Sequence, residues 1–600
     1  MSGRPDTGDR SPVSFFPFPL FVFAEITRSR TVLPCGLPVS SLRQSSTFTS
    51  EANTMHIRPG IERLSVAAVI SGCAGIVTYV GLRGLGVSLL LSALLVVLVA
   101  VTGIVWLSRR LPPVLDGIRK LKPWLSAAWL LLGLVALAQT SRLSVFMLDP
   151  TQPQHSLFPG DQWMVEHCCL TAYSESARFT SEGERNIYNE TLYRGPDAAV
   201  DKGLRRKLAP TKSGGVSFNV DPYHYPPSFL LLPLGVRAVV GGDFESIRAV
   251  WFGMSALALM IAIGLIAWRL EPENQLRAIG MAPLIWCSMP VLSGLQMSNV
   301  QILVVAISAI ALTALPRLRA RLPLGILLGG QAETPPFGGQ ARRAAVGGML
   351  LAMSAVAKIF PGILFIYLLS RRKWREAAWT AVFAILLTIV ALVVVGATPF
   401  QAFLEYELPR LSNGEAFSRP FSTAFAVARN MSPFGIPLKL GWLGIPGMTL
   451  EVGRVVSMIY LVGIVGLAIW SGRRQPARPD GRSGGPRSNT EAVSVWLSLL
   501  SLGTLASPFA PANYVLASLV WLVCINRELF RPLVAVVIWF LISAPFLISR
   551  EAPFLLQAIC YFPAQALAIG VPAVILWSAG TERAYEEQTE TKVTFDRATT

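Results

Sequence analysis

The chain has 600 residues, of which 52% are hydrophobic and 14% charged, and its mean hydropathy is +0.52. Soluble globular chains carry roughly 25% charged residues, so a fold with a fully wetted surface is excluded and the composition describes an integral membrane protein. The formal net charge of +17 does not indicate nucleic acid: the basic residues fall in short clusters between apolar runs, as in loops that face an anionic leaflet, and build no groove.

Residues 1–62 are polar and rich in Ser and Arg. Their apolar stretch SFFPFPLFVFAEI (14–26) holds two prolines and is shorter than the roughly 20 residues a spanning helix needs. No clean small-residue cleavage site follows it, and Met55 is read as the expected start of translation.

A polytopic membrane domain is expected over 63–577. Apolar runs follow one another at 64–82, 86–108, 124–147, 226–240, 246–268, 277–295, 298–315, 344–357, 360–371, 375–396, 453–471, 492–507, 512–526, 531–549 and 556–577. They predict an all-α bundle of about 12–14 transmembrane helices, some of them half-length and broken at polar residues. Basic clusters set the orientation. Arg109, Arg110, Arg119, Lys120 and Lys122 form the first, and the linkers 316–343 and 471–491 with RRKWR (371–375) form the rest. These are assigned to the cytoplasmic side, with a polar tail at 578–600. Two long loops, 148–225 and 397–452, then fall on the outer side. The first is charge-balanced, its ten acidic residues offsetting eight Lys and Arg. One crossing is left over, which requires a re-entrant element at 226–240 or near 281–295.

Three of the four histidines, His155, His167 and His224, lie in the first outer loop. Residues 161–173 read as an amphipathic surface helix, with a break marked by Ser181, Glu182, Gly183 and Asn186. Pro159-Gly160 turns the chain just before Asp161. A carboxylate held there suits a general base toward a hydroxyl, and it equally suits an N-cap; the two roles are compatible. His155, Glu166 and His167 match no zinc spacing, and Cys168-Cys169 is not a CxxC, so no metal is expected. His167 is read as bonding a loop carbonyl. The seven cysteines give no disulfide framework.

Downstream, QMSNVQILVV (296–305) opens an apolar run with Asn299 and Gln301. Lys358 interrupts another, AVAKIFPGILFIYLLSRRKWR (355–375). A lysine at that depth needs an anion, either a bound phosphate or a carboxylate.

An aspartate in the first outer loop, DPYHYPPSFLLLPLG (221–235), SNVQILVV (298–305) and AKIFPGILFIYLLSRRKWR (357–375) occur in an order that resembles glycosyltransferase family 87. These are bacterial membrane enzymes of the C-type superfamily that take sugars from polyprenyl-phosphate carriers. The resemblance spans most of 124–577 and implies a GT-C-like bundle in the bacterial cytoplasmic membrane, with its site facing outward. It further implies inverting transfer of a hexose, mannose-like, from a polyprenyl-phosphate-sugar donor to an acceptor hydroxyl on a glycolipid, polysaccharide or protein, with no cofactor. Carried over by position, Asp161 is the base, and Lys358 with Arg248 holds the phosphate. His167, Tyr223, His224, Tyr225, Asn299, Gln301 and Asn513 shape the donor and acceptor pocket. Two departures stand out: the family's Gly-Gln-x-Asn element reads Asn-Val-Gln here, and a late histidine after Ser-Pro is replaced by Asn513 and Tyr514 in SPFAPANYVLA (507–517). The alternative reading is a flippase or transporter of lipid-linked sugars, which predicts polar residues at the bilayer midplane and symmetric halves.

Overall fold

The computed structural model of the chain describes residues 59–112, 123–194, 206–208, 215–315, 338–473, 488–526 and 531–599. Met55, the 14–26 stretch, Arg119, Lys120, Lys122, Cys35 and most of the two basic linkers lie outside the described residues.

The first helix, α1 (Pro59–Gly84), begins on proline and carries Glu62 in its first turn and Arg83 in its last, each matching the local end of the helix dipole. Ser88 caps α2 (Leu89–Arg110), its hydroxyl accepting from the Leu91 amide at 3.4 Å. Most of the α2 surface is bare Leu and Val, with Leu90 at 73% exposure, the surface that lipid tails solvate. After α3 (Pro123–Leu148) comes the first long loop, which holds α4 (Gln162–Glu166) and α5 (Leu170–Ser181). A two-residue hairpin, β1 (Lys207–Leu208) against β2 (Phe218–Asn219), pairs Lys207 with Asn219.

The bundle resumes with α6 (Leu231–Val240), α7 (Phe244–Arg269), α8 (Pro272–Trp286), α9 (Met289–Gln296) and α10 (Val300–Ala314). Then come α11 (Gly338–Ala357), α12 (Gly362–Ser370) and α13 (Trp374–Val395), followed by a second long loop of short helical turns. The chain closes with α14 (Leu450–Arg473), α15 (Asn489–Thr504), α16 (Ala512–Val515), α17 (Ala517–Ile525), α18 (Pro532–Ser543) and α19 (Phe554–Thr599).

Among the described residues seven helices are long and apolar enough to cross a membrane, or up to eight if the α8–α9 pair is one bent span. This is an all-α, multi-pass membrane protein. The count falls short of the expected 12–14 for a physical reason: the runs at 227–240, 300–314, 512–525 and 532–547 fold as helices of only 10–17 residues, too short to span alone. The break between α8 and α9, 54° at Cys287 and Ser288, falls in one of the two segments where a re-entrant element is required; the other forms the short helix 227–240.

Helix α7, about 39 Å long at 1.5 Å per residue, separates two ends. Phe244 at its start packs on Phe218 of the loop hairpin, ring centroids 5.6 Å apart. Arg269 at its finish bonds the Thr313 carbonyl, and its own carbonyl accepts from Asn489 at 2.6 Å. Both long loops gather at the first end. Within the membrane layer α1 and α7 approach backbone to backbone: a Cβ added at Gly253 would stand 2.9 Å from the Gly81 Cα. Such small-residue crossings let helices pack closely where no hydrophobic drive separates protein from lipid. Gly253→Val is therefore expected to destabilise the fold by about 1–3 kcal/mol, read as a lowered melting temperature of the purified protein in detergent.

Candidate active site

The loop end encloses a cavity of about 1380 Å³ between the two long loops and the ends of the bundle helices. One flank is apolar, with Ile359, Phe360, Ile363, Ile366, Leu461 and Ile464 from α12, α14 and the turn before α12. The rest of the lining carries the polar chemistry.

Its first part comes from the break between α4 and α5. The sequence reading expects one helix over 161–173, but His167 is extended and the Cys169 amide leaves the helix to bond the Met297 carbonyl at 2.8 Å. His167 also bridges Asn219 of β2. That bridge carries the following residue pair into reach, so Asp221 Oδ2 lies 3.2 Å from His167 Nδ1, both side chains being about nine-tenths covered. The Asp221 amide donates to Thr171 Oγ1 at 3.1 Å. His167 is stacked on Trp163, centroids 4.4 Å apart and planes 12° from parallel.

The second part is the turn between α9 and α10. Ser298 has a φ of 52°, a left-handed conformation that costs roughly 1–3 kcal/mol for a residue other than glycine and collects at functional sites. It lets Asn299 cap α10, its Oδ1 accepting from the Gln301 amide at 2.9 Å, while its side-chain Nδ2 donates to Cys169 Sγ at 3.2 Å. Gln296 fixes the same turn to the first loop, donating to the Met164 carbonyl at 2.8 Å and accepting from the Leu157 amide at 2.5 Å.

Lys358 follows α11 directly. Its Nζ donates to Gln301 Oε1 at 2.8 Å and sits over the rings of Tyr225 and Tyr514, at 5.2 and 5.6 Å. No carboxylate among the described residues pairs with it.

The two loops are locked together by charge. His224 Nδ1 meets the fully buried Glu407 at 2.7 Å, inside a π-turn at Phe403–Glu407. Arg410 joins Glu407, Glu190 and Glu415. Burial alone would raise the Glu190 carboxyl, but the hydrogen bond and charge of Arg410 outweigh it and hold it below the usual carboxylate range. Glu166 shows the same balance: hydrogen bonds from Gln162, Lys207 and Asn219 overcome its burial and lower it.

Of the residues expected at the site, His167, His224, Tyr225, Asn299, Gln301, Lys358 and Asn513 line the cavity. Three do not. Asp161 caps α4, accepting from the Met164 amide at 3.2 Å, and pairs with Arg550 at 3.6 Å. Arg248 is buried between the rings of Phe146 and Phe218, at 4.3 and 4.7 Å, and donates to the Phe146 carbonyl at 2.8 Å; its guanidinium ties α7 to α3 and the loop hairpin. Tyr223 is buried in an aromatic cluster with its hydroxyl on the Pro226 carbonyl at 3.0 Å. The cavity's own carboxylates are Asp221 and Glu190. Asp221 stands at the head of DPYHYPP, and its contact with His167 lies 54 residues away in sequence.

His167, Cys169 and Asp221 each offer one donor atom within 4.8 Å of the others. That donor set suits a zinc-like ion by type, although the loop reading of the sequence gives no zinc spacing.

This polar wall spans several segments, and one of them has a known counterpart. Residues 223–484 match the family model of glycosyltransferase family 87. The family 87 region takes in His224, Tyr225, Asn299, Gln301, Lys358 and Glu407; Asp161, His167, Asp221 and Asn513 fall outside it. The chain is thus a multi-pass membrane protein in which residues 223–484 are similar to glycosyltransferase family 87. No curated protein and no solved structure matches the chain.

Proposed function

We propose that the protein transfers a hexose, mannose-like, from a polyprenyl-phosphate carrier to an acceptor hydroxyl with inversion at the anomeric carbon. The observation that carries this reading is a half-buried ammonium group, Lys358, which pairs with no carboxylate among the described residues and lines one cavity with the Asp221–His167 pair and a set of apolar side chains. The prenyl chain lies along the flank of Ile363, Ile366, Leu461 and Ile464. The donor phosphate meets Lys358, with Gln301 and the faces of Tyr225 and Tyr514 around it. Asp221 takes the proton of the acceptor hydroxyl as that oxygen bonds to the anomeric carbon. The bond from that carbon to the phosphate oxygen breaks, and polyprenyl phosphate leaves with the electron pair. His167, itself held by Trp163, positions the Asp221 carboxylate. In this role Asp221 takes the place expected of Asp161, whose side chain is committed to the α4 cap and Arg550.

The site faces outward from a bacterial cytoplasmic membrane, the side reached by the two long loops. The acid–base chemistry needs no metal. Membranes carrying the full chain are expected to transfer labelled hexose from polyprenyl-phosphate hexose and not from a nucleotide sugar, with rates unchanged by EDTA. Label movement across the bilayer without transfer would favour the flippase instead. Loss with EDTA and recovery with zinc would assign His167, Cys169 and Asp221 as metal ligands.

A further inference from the structure

A second cation lines the same cavity. Arg429 ends the short helix Ala424–Arg429 in the second loop and is only 6% exposed. It donates to the Asn513 side-chain oxygen and lies against the rings of Phe425 and Phe546, at 4.5 and 5.4 Å. Its Nε has no hydrogen-bond partner. Among the described residues no carboxylate pairs with it: Asp161, which contributes at longer range, is taken up by the α4 cap and Arg550.

The contrast with Arg410, nineteen positions earlier on the same loop, is informative. Arg410 is satisfied by three glutamates. Arg429 is more deeply buried and has the Asn513 amide oxygen and the Tyr561 hydroxyl in place of an acid. A desolvated guanidinium without an anion is costly, and a planar fork of donors opening onto a cavity matches a phosphate or carboxylate. Lys358 shows the same arrangement with Gln301 as its amide. Asn513 and Tyr514 are consecutive in α16: the first holds Arg429 and the second faces Lys358. One turn thus touches both cations.

We propose that Arg429 with Asn513 forms a second anion subsite, and that the sugar acceptor carries an anionic group, phosphate or carboxylate, bound there while the donor phosphate occupies Lys358. The assignment to the acceptor rests on the glycosyl-transfer reading; the anion site itself does not.

The test is binding to the full-length protein in phosphatidylcholine nanodiscs, followed by tryptophan fluorescence. Lys358→Gln is expected to weaken farnesyl phosphate about tenfold or more and to leave a single class of inorganic phosphate site. Adding Arg429→Gln should remove that remaining site, whereas Arg429→Gln alone should change farnesyl phosphate affinity by less than about twofold. The Arg429→Gln protein should melt no lower than wild type, because no ion pair is lost; that keeps a binding loss from being a folding loss. Nanodiscs containing phosphatidylglycerol that compete with phosphate would identify a lipid headgroup as the anion, and absence of competition an aqueous one. The proposal is overturned if Lys358→Gln protein binds no phosphate, if Arg429→Gln leaves that binding intact, or if the two single variants weaken farnesyl phosphate equally, as one shared phosphate site would. Because binding is read without turnover, a protein that binds phosphate through Arg429 but transfers no sugar refutes the transferase reading and leaves the subsite standing.

Discussion

Asp221→Asn is expected to reduce sugar transfer by roughly two to four orders of magnitude, the usual contribution of a positioned general base. The asparagine keeps the shape of the side chain and can still bond His167 across the 3.2 Å contact, so the loop geometry survives while the capacity to take a proton is lost. The loss should therefore appear in kcat, with donor KM and melting temperature close to wild type. Asp161→Asn is the matched control. Its carboxylate caps α4 and pairs with Arg550, and asparagine is itself a good cap, so transfer should fall by less than about tenfold. Radiolabel transfer in membranes carrying each variant decides between the two aspartates. Full activity in Asp221→Asn would remove it as the base, and a selective loss in Asp161→Asn would return that role to the first loop's turn.

The helices were readable from the sequence because lipid imposes them. Every backbone polar group in the hydrocarbon layer must be bonded internally, so long apolar runs such as 89–110 and 374–395 could only be helical, and they are. Their ends fall within a few residues of the runs that predict them. Crossing number was less legible, since hydropathy does not distinguish a spanning helix from a buried half-helix such as 300–314 or 512–525.

The site divides along the same line. Lys358, Asn299 and Gln301 stand out because a polar group inside an apolar run needs a reason, and the Lys358–Gln301 bond supplies one. His224 and Tyr225 stand out as chemistry placed against the start of such a run. Asp221, Glu407 and Arg429 sit in loops where polar residues are ordinary. Their importance rests on contacts 54, 183 and 84 residues apart with His167, His224 and Asn513, which no local pattern encodes. Arg248, which the resemblance implies for the phosphate, is enclosed by two phenylalanine rings and a carbonyl.

Lys358→Gln separates a binding lysine from a structural one through two readouts that move in opposite directions. Where a buried lysine is half of a structural ion pair, its removal strands a carboxylate and destabilises by several kcal/mol. Among the described residues Lys358 has no such partner: Gln301 Oε1 and two tyrosine rings are neutral, and glutamine removes a desolvated charge while remaining able to donate. Thermal stability without substrate should then hold or rise. Donor recognition should suffer, because losing one member of a buried charge pair costs about 2–5 kcal/mol, enough to weaken a polyprenyl-phosphate sugar by roughly a hundredfold. Lys358→Arg, which restores the charge in a bulkier form, should recover part of the donor affinity. The salt dependence adds a third signature: the affinity of wild type for farnesyl phosphate should resist added salt, as contacts inside a covered cavity are weakly screened. A variant that melts several degrees lower yet binds donor normally would make Lys358 a packing residue and leave the cavity without its phosphate anchor.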